Sequence, residues 1–497
     1  MSLVSGSSSG TGAGTGAGTT VVVTTGDQSE YGNDPFNDSD GSGDHRFADV
    51  VGEAPPGVAE VVALLAEDLL EPSPGPEQLW KLLVEQISSW HFKPDLQAVQ
   101  IILAFEASYQ ISTEDHLWLH LVGPSSSGKT SLGIAMLDNL FGDHHQLGEI
   151  TPNTFLSGLT RGKQKGKMNS FLHQIGDRGL IYAPDFTNFL SNDHLTIGKV
   201  AGQLREIYDG KMTKRAGSMD HVNEWIGNVA MITAFTPSKE SAWHSHNREG
   251  ERFLTLRWHG AEAVGEAEER RLGGLMKLGG KKERQDELRE VVRELIMYSG
   301  EETPEGVTNG LSSPRTSNIQ DRSFRLARLV GKLRTLPIRS DGKNISHVAG
   351  EESPGRVFKQ LIKVARGWAS LMRRDEVLPE DWGLAERLAI DTIPEVRRWL
   401  LEGLPWGGSG VTRVELLQEM TPIQGKEAVE WHLADLKALG VVGMNGMGEV
   451  FLRDKFQQLA EAGCPGWVEK LREGWEEQME LATVRMEERE FATKDKG

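Results

Sequence analysis

The chain has 497 residues, a formal net charge of −18 at pH 7 and 38% hydrophobic residues. This composition is typical of a globular protein, and the length allows roughly two or three domains. Apolar runs stay well below the roughly eighteen residues of a membrane-spanning helix, and the start lacks the basic and apolar regions of a signal peptide. The single cysteine, Cys464, excludes an intrachain disulfide and a thiolate zinc site. We therefore expect a cytoplasmic protein with no membrane partner.

The first half of the chain predicts a tail, a helical region and an α/β core. Residues 1–55 are rich in Gly, Ser, Thr and Asp and predict a disordered tail. Apolar residues at helical spacing in 56–110 predict a helical N-terminal domain. Range 111–260 alternates short apolar runs with helical patterns, which indicates a mostly parallel α/β sheet. The predicted strands are 117–122, 179–183, 229–235 and 253–258.

The second half is mainly helical. Residues 261–319 predict a helix and a loose linker, and 320–395 predict several helices. Within 396–455, the segment 411–454 predicts three helices and then a two-stranded hairpin that turns at "MNGMG". That order is typical of a winged helix-turn-helix. Residues 456–497 predict a charged C-terminal helix.

The segment "GPSSSGKT" at 123–130 fits the pattern G-x-x-x-x-G-K-[ST] between a predicted strand and a predicted helix. Gly123 and Gly128 let backbone N–H groups close around phosphates. Lys129 reaches the β and γ phosphates, and Thr130 offers a hydroxyl to Mg²⁺. The pattern predicts a nucleotide site, and the alternative is a chance Gly/Ser turn in a chain with 57 glycines. The other residues of the loop are Pro124, Ser125, Ser126 and Ser127.

A metal ion bound with the nucleotide needs an acidic partner, and "RGLIYAPDF" at 178–186 supplies Asp185 after an apolar run. The next residue is Phe186, where ATPases of this kind usually carry a glutamate that orients water. Either Asp185 holds the metal and the base lies elsewhere, with Glu206 as a candidate, or Asp185 takes the base position and Pro184 replaces the metal ligand. A third interpretation is that Asp185 only caps the following helix.

Further segments follow the glycine-rich motif in a specific order. They are "SGLT" (157–160), "QLREIYDGKMTKRAG" (203–217), "AMITAFTPS" (230–238), "GERFLTLRW" (250–258) and the helical stretch 353–389. In that order they resemble the AAA+ module of the minichromosome maintenance (MCM) replicative helicases, in a divergent form associated with phage and plasmid ATP-binding proteins. The resemblance covers about 117–392, and the motifs after the first are loose. An oligonucleotide-binding barrel and a zinc ribbon are not recognisable ahead of it.

The resemblance implies roles for three residues. Thr236 takes the place of the asparagine of sensor 1, Arg252 that of the arginine finger, and Arg356 that of sensor 2 in the lid. Each has a plainer interpretation. Thr236 is then a strand-end residue, Arg252 a surface arginine, and Arg356 one lid cation among several, with Arg322 competing for the sensor 2 role.

Two basic elements stand out in this acidic chain. Taken alone, the segment "RGKQKGK" at 161–167 is a solvated surface loop. In an MCM-like ring its position after "SGLT" projects into the central channel, beside the cations of the pre-sensor hairpin. Both elements are then expected to contact the DNA backbone. Their cations are Arg161, Lys163, Lys165 and Lys167 in the loop, and Lys211, Lys214 and Arg215 in the hairpin.

Together these patterns indicate an α/β fold: a P-loop NTPase (AAA+) core with a helical lid, an N-terminal helical bundle and a C-terminal winged helix. The resemblance implies a hexameric ring that binds ATP and Mg²⁺ and couples hydrolysis to DNA translocation or remodelling, in a bacterial or phage-infected cell. The alternatives are a STAND-like nucleotide-dependent signalling switch and a chelatase-like protein remodeller. The predicted third helix of the winged region sets Glu427, Glu430 and Asp435 against Lys426 and Lys437. A DNA-reading helix is usually more basic, so DNA contact is only as well supported as protein docking or a simple structural cap.

Overall fold

The chain divides into two compact units, Met1–Pro72 and Ser73–Gly497. The computed structural model describes residues of the second unit. The described ranges are 74–112, 116–138, 140–156, 170–214, 223–244, 251–259, 265–266, 270, 273–274, 279–300, 314–340, 344–348, 350–407, 410–423 and 425–494. The predicted tail at 1–55 and the predicted helical segment as far as residue 73 lie outside these ranges.

The described strands are β1 (Trp118–Val122), β2 (His144–Gln146), β3 (Arg178–Ala183), β4 (Lys211–Lys214), β5 (Asn223–Ile226), β6 (Asn228–Phe235), β7 (Leu254–Arg257), β8 (Ile338–Arg339), β9 (Ile345–His347), β10 (Thr412–Arg413), β11 (Val442–Met444) and β12 (Glu449–Leu452). The described helices are α1 (Pro76–Trp90), α2 (Leu96–Ile111), α3 (Phe171–Ile175), α4 (His194–Tyr208), α5 (Glu240–His244), α6 (Lys281–Gly300), α7 (Pro314–Arg334), α8 (Pro354–Leu371), α9 (Pro379–Asp391), α10 (Glu395–Glu402), α11 (Val414–Met420), α12 (Lys426–Ala438), α13 (Asp454–Gly463) and α14 (Pro465–Lys494).

A five-stranded parallel sheet forms the centre of the α/β core. The strands lie in the order β2-β3-β6-β1-β7, and every neighbouring pair runs parallel. The four strands predicted from apolar runs are confirmed, because strands covered on both faces read as continuous apolar segments. β2 was not predicted. Its sequence, "HHQ", is short and polar, and it pairs with one neighbour at the sheet edge.

A helical bundle packs beside the sheet and draws on distant parts of the chain. Leu83 of α1, Ile102 of α2, Leu295 of α6, Leu361 of α8 and Leu388 of α9 are fully buried in one hydrophobic core. The helix α2 is the centre of this bundle, because it is apolar around its whole circumference and must be covered on all sides. The described helices of 56–110 and of 320–395, predicted as separate regions, therefore share one core.

The C-terminal region differs from its prediction in helix number. Between 411 and 454 the described residues form two helices, α11 and α12, so the expectation of three helices in that segment was wrong. Pro422 interrupts the helical pattern between them, and Gly425, the N-cap of α12, has φ +91°, which lies outside the helical region and suits glycine. The predicted hairpin is present as β11 and β12, and β10 adds a third strand to it.

The predicted charged helix at 456–497 is divided into α13 and α14. Pro465 occupies the first position of α14, where its missing N–H costs nothing. The residue before a proline avoids the helical conformation, and Cys464 accordingly has φ −145° and ψ 64°. The break therefore follows from one proline.

Candidate functional site

The glycine-rich loop follows β1 at the carboxyl edge of the sheet. The Gly123 N–H donates to the Phe235 carbonyl at the end of β6, with an N to O distance of 3.3 Å. Pro124, Ser125 and Ser126 are exposed, so the outer side of the loop is open to a ligand. Gly128 has φ +93°, which only glycine adopts at little cost. The loop thus has the backbone freedom that its sequence pattern predicted.

Lys129 and Asp185 lie within electrostatic reach of each other. Lys129 is only 8% exposed, and its Nζ donates to the Pro124 carbonyl within the loop, at 2.9 Å. Burial lowers the pKa of the Lys129 ammonium, and the negative charge of Asp185 opposes that shift. Thr130 is exposed at the same edge. These three side chains supply a cation, a carboxylate and a hydroxyl in one place.

Asp185 also stabilises the turn after β3. Its Oδ1 accepts the Thr187 N–H at 3.1 Å, and its Oδ2 accepts the Asn188 side-chain N–H at 2.9 Å. Phe186 is fully buried against Phe235 and Trp243. A fully buried aromatic ring cannot orient water, so the position after Asp185 contributes packing. The metal and base interpretations of Asp185 both remain compatible with its exposed carboxylate.

Thr236 lies between the loop and Asp185, because β6 lies between β1 and β3 in the sheet. The Phe186 N–H donates to the Ala234 carbonyl at 2.8 Å, which fastens the Asp185 turn to the end of β6. The Thr236 Oγ1 is 3.1 Å from the Ser238 Oγ. Ligands of parallel α/β sheets bind outside the carboxyl ends of the strands, which is where these residues lie.

The helix after the loop is irregular and is stabilised by a second helix. Residues Lys129–Gly133 form a π-helical turn and Ile134–Met136 a 3₁₀ turn. Three side chains of α6, spaced four residues apart, donate to carbonyls of this segment. Gln285 reaches Ser131 at 2.9 Å, Arg289 reaches Ala135 at 3.1 Å, and Arg293 reaches Leu140 at 3.2 Å. No functional role was predicted for α6, although the four-residue spacing of its polar side chains was a signal.

Arg252 and Arg356 lie at the opposite, amino edge of the sheet. The Arg252 guanidinium, 12% exposed, is 3.2 Å from the Asp209 carboxylate. Arg356 donates to the Glu251 carbonyl at 3.0 Å and lies over the ring of Tyr208. Burial and then the charge of Arg252 lower the pKa of Arg356, as expected of neighbouring guanidinium groups. The two predicted arginines are therefore brought together.

Neither arginine is near the loop of its own chain. Tyr208 packs on Trp118, the first residue of β1, whereas the loop follows the last residue of that strand. At about 3.3 Å per residue, a strand of this length separates its two ends by on the order of 15 Å. Glu206, two residues before Tyr208, is at the same amino edge, so the structure does not bring this candidate base to Asp185. Arg322 pairs instead with Glu386, at 3.6 Å.

The two predicted basic elements lie largely outside the described residues. Arg161, Lys163, Lys165, Lys167 and Arg215 all fall in undescribed segments.

The two described cations of the hairpin are engaged within the chain. Lys211 pairs with Glu224 across the hairpin at 2.8 Å. The Lys214 Nζ donates to Pro152, Asn153 and Leu156, at 3.0, 2.7 and 2.9 Å. Lys214 therefore fixes the segment that leads into residues 157–169 against the hairpin.

Trp258 and His91 contact the loop, and neither was predicted as a site residue. The Trp258 indole N–H donates to the Ser127 carbonyl at 2.9 Å. The imidazole of His91 lies beside Gly128, where a Cβ would be 3.3 Å from its Cε1. Burial, and then the charge of Lys281, lower the pKa of His91 to about 4, so this ring is neutral at pH 7. Trp258 was predicted only as the last residue of the strand at 253–258.

Comparisons with known proteins add no family. A scan with protein-family models finds no match, and a search for similar curated proteins finds none either. Within the described part of the chain, no helix has both the length and the apolar character to cross a membrane. In that same part, His, Cys, Asp and Glu side chains do not cluster in threes as a metal site would.

Proposed function

We propose that this protein is an oligomeric P-loop ATPase of the AAA+ class that couples ATP hydrolysis to translocation on DNA or to its remodelling. By its resemblance to the MCM module it would be a phage- or plasmid-type replicative helicase. The observation that carries the proposal is the convergence of three strand ends. The glycine-rich loop after β1, Asp185 after β3 and Thr236 after β6 meet at one edge of a parallel sheet.

The residues at this edge suit a nucleotide with Mg²⁺. Exposed backbone around Ser125 and Ser126 offers N–H donors for phosphate oxygens. Lys129 supplies a cation that is held close to the loop, and Thr130 and Asp185 supply the oxygen ligands that Mg²⁺ prefers. Bound Mg²⁺ would neutralise charge that develops on the transferred phosphate. Thr236 has one hydroxyl with which to contact the γ-phosphate or the attacking water.

The amino edge supports an oligomer as part of the proposal. Arg252 and Arg356 are too far along the strands to reach the nucleotide of their own chain. Presented on the opposite edge, they suit the nucleotide site of a neighbouring subunit, as an arginine finger and its partner do. A ring in which each subunit completes the next site follows from that arrangement, and the resemblance implies six subunits.

The DNA contacts of the proposal rest on the basic segment at 161–167. Lys214 fixes residues 152–156, which precede this segment in the chain, against the β4–β5 hairpin. The C-terminal module of α10 to α12 and β10 to β12 is proposed to be a winged helix. Its helix α12 exposes Glu427 and Glu430, whereas Asp435 is buried and pairs with Arg339 and Arg397. We leave its proposed partner open between DNA and protein.

A nucleotide-dependent switch of the STAND type remains the second candidate. The observation that favours it is the internal pairing of the described hairpin cations, since Lys211 and Lys214 are occupied by groups of the same chain. A switch would hydrolyse ATP slowly and change its oligomeric state without DNA. A chelatase-like remodeller would respond to a partner protein instead.

The deciding experiment measures ATP hydrolysis by the full chain with and without single-stranded DNA at low salt. We expect DNA to stimulate turnover several-fold, and Lys129→Ala to abolish turnover. Joint replacement of Lys163, Lys165 and Lys167 by alanine should remove the stimulation and leave basal turnover unchanged. A triple replacement of the exposed Lys81, Lys455 and Lys470 by alanine removes the same charge elsewhere and should keep the stimulation. A rate of ATP hydrolysis that is the same with and without DNA would overturn the helicase proposal.

A further inference from the structure

Trp258 contacts the glycine-rich loop at both ends. Its backbone N–H donates to the Val122 carbonyl at 2.8 Å, directly before the loop. Its carbonyl lies 2.8 Å from where a Cβ of Gly123 would be, so the first glycine of the loop is closely packed against it. Its indole N–H donates to the Ser127 carbonyl near the other end, at 2.9 Å. One side chain and its backbone therefore determine the distance between the two ends of the loop.

The backbone on either side of Trp258 is held by the helical bundle. The Arg257 carbonyl accepts a hydrogen bond from Arg387 of α9, at 3.1 Å. The His259 N–H donates to Asp95, the N-cap of α2, at 3.2 Å. Asp95 and Arg387 are joined to each other by two hydrogen bonds of 2.5 Å. The position of Trp258 thus depends on an ion pair between two helices of the bundle.

The side chain of Arg257 adds a link to the turn after β6. Its guanidinium donates twice to Glu240, at 2.7 and 2.8 Å, and once to the Ile393 carbonyl, at 3.0 Å. Glu240 follows Thr236 by four residues. A buried, bidentate pair of this kind has little freedom to rearrange, because separating it leaves an uncompensated charge. The adjacent residues Arg257 and Trp258 therefore connect the helical bundle both to the turn that carries Thr236 and to the glycine-rich loop.

We propose that Trp258 is a positioning residue that clamps the loop 123–130 and transmits movement of α9 to it through Arg387. The effect of this clamp on ATP binding rests on the proposed function, whereas its effect on the shape of the loop does not. A shift of α9 moves the Arg387 guanidinium, and with it the Arg257 carbonyl and the ring of Trp258. The loop then opens or closes around its phosphates.

The first test replaces the indole donor and compares it with a matched tryptophan. Trp258→Phe keeps an aromatic ring and removes the hydrogen bond to Ser127. Trp225→Phe removes an equivalent bond, from Trp225 to the Gly176 carbonyl at 2.6 Å, and both tryptophans are 3% exposed. We expect amide hydrogen exchange at 125–128 to become about fivefold faster in Trp258→Phe, the effect of one lost hydrogen bond. It should stay at the wild-type rate in Trp225→Phe.

The second test addresses the link to the bundle. Arg387→Gln should also speed exchange at 125–128, by about threefold to fivefold. Arg472→Gln removes a guanidinium from α14, where it pairs with Glu461 of α13, and should leave the loop unchanged. In the double variant of Trp258→Phe and Arg387→Gln, the amides at 125–128 should exchange little faster than in Trp258→Phe alone, because both changes release the same clamp. If Trp258→Phe is too unstable to study, Arg387→Gln carries the test.

Nucleotide kinetics separate this proposal from the proposed function. We expect Trp258→Phe to raise KM for ATP about fivefold and to change kcat less, since the clamp shapes the loop and takes no part in chemistry. A wild-type chain that does not bind ATP would overturn the proposed function, and loop exchange would still decide the clamp. The clamp proposal would be overturned if amide exchange at 125–128 kept its wild-type rate in both Trp258→Phe and Arg387→Gln. It would also be overturned if Trp225→Phe accelerated this exchange equally.

Discussion

The two edges of the central sheet differ in chemistry and in how their polar groups are held. At the carboxyl edge, the strands end in glycine, serine, threonine and one carboxylate, and several of these residues are exposed. At the amino edge, Arg252, Arg334 and Arg356 are packed together and hydrogen bonded to groups of their own chain. The carboxyl edge is therefore open to an anion, whereas the guanidinium groups of the amino edge are engaged by groups of their own chain.

Under the proposed function, one chain carries two incomplete halves of a nucleotide site. The strands between the edges keep the arginines on the order of 15 Å from the loop, so the halves cannot meet within a subunit. The proposed ring resolves that separation because the amino edge of one copy faces the carboxyl edge of the next. In that proposal, the pairing of Arg252 with Asp209 is the resting arrangement of a residue that acts on a neighbouring subunit.

The largest expected effect tests whether the two edges work across subunits. Arg252→Ala and Lys129→Ala should each lower turnover by about a thousandfold or more, the usual weight of an arginine finger and of the P-loop lysine. Mixing the two inactive variants should restore part of the activity, because each supplies the half that the other lacks. The measurement is steady-state ATP hydrolysis of the mixture. Absence of any recovery in mixed oligomers would mean that Arg252 acts in its own chain or not at all.

The next effect concerns the shape of the carboxyl edge. Gly128→Ala places a Cβ in left-handed backbone beside His91, and Gly123→Ala places one against the Trp258 carbonyl. Each should weaken ATP binding by about tenfold to a hundredfold, if left-handed strain at Gly128 and the Cβ clash at Gly123 each cost about 1–3 kcal/mol. Gly176→Ala is the matched control, since Gly176 has φ +88° with open space around it and lies away from the loop. Titration with a fluorescent ATP analogue measures all three.

A smaller effect tests the pairing of Arg252 with Asp209 at the amino edge. Asp209→Asn weakens the pairing that holds Arg252 within its own chain, and Asp209 is more than half exposed. A pair of this kind contributes well under 1 kcal/mol, so turnover should rise by up to about threefold in the assembled oligomer. Asp321→Asn, which weakens the exposed pair with Arg325 on α7, should change nothing. Lower turnover in Asp209→Asn would mean that Asp209 assists Arg252.

The smallest effect is a pH dependence of stability at the amino end of β2. His144 donates to the Leu137 carbonyl at 3.0 Å and lies 3.2 Å from the buried carboxylate of Glu106, so both ring nitrogens face acceptors. Burial alone would lower the pKa of His144, and the bond to Glu106 with its charge outweighs it, so the pKa is raised from 6.5. Asp143, Tyr109 and His145 also lie near this ring.

A histidine whose pKa is higher in the folded than in the unfolded chain stabilises the fold fully at pH values below its pKa in the unfolded chain. That stabilisation is lost as the pH rises through its pKa in the folded chain. We expect the free energy of unfolding to fall by on the order of 1 kcal/mol as the pH rises above about 6.5. Denaturant titrations between pH 6 and 9 measure it. Glu106→Gln should flatten this dependence, and an unchanged slope in that variant would assign it to another group.

How far the sequence predicts this protein depends on whether a feature is local. The strands at 118–122, 178–183, 228–235 and 254–257 were predictable, because a strand buried on both faces must be apolar throughout. The loop at 123–130 was recognisable for the same local reason, since its glycines and its lysine act within a few residues of one another. The break at Pro465 had a local signal that the prediction of one C-terminal helix overlooked.

Tertiary structure alone decided which distant residues meet. The order β2-β3-β6-β1-β7 placed Thr236 between Lys129 and Asp185, and it placed Glu206 and Arg252 at the far edge. No local pattern encodes that order, because it depends on how crossover connections pack. The same holds for α6, whose side chains support the irregular helix after the loop from about 150 residues away. Trp258 likewise became a clamp only because its strand lies beside β1 and its flanking backbone meets Asp95 and Arg387.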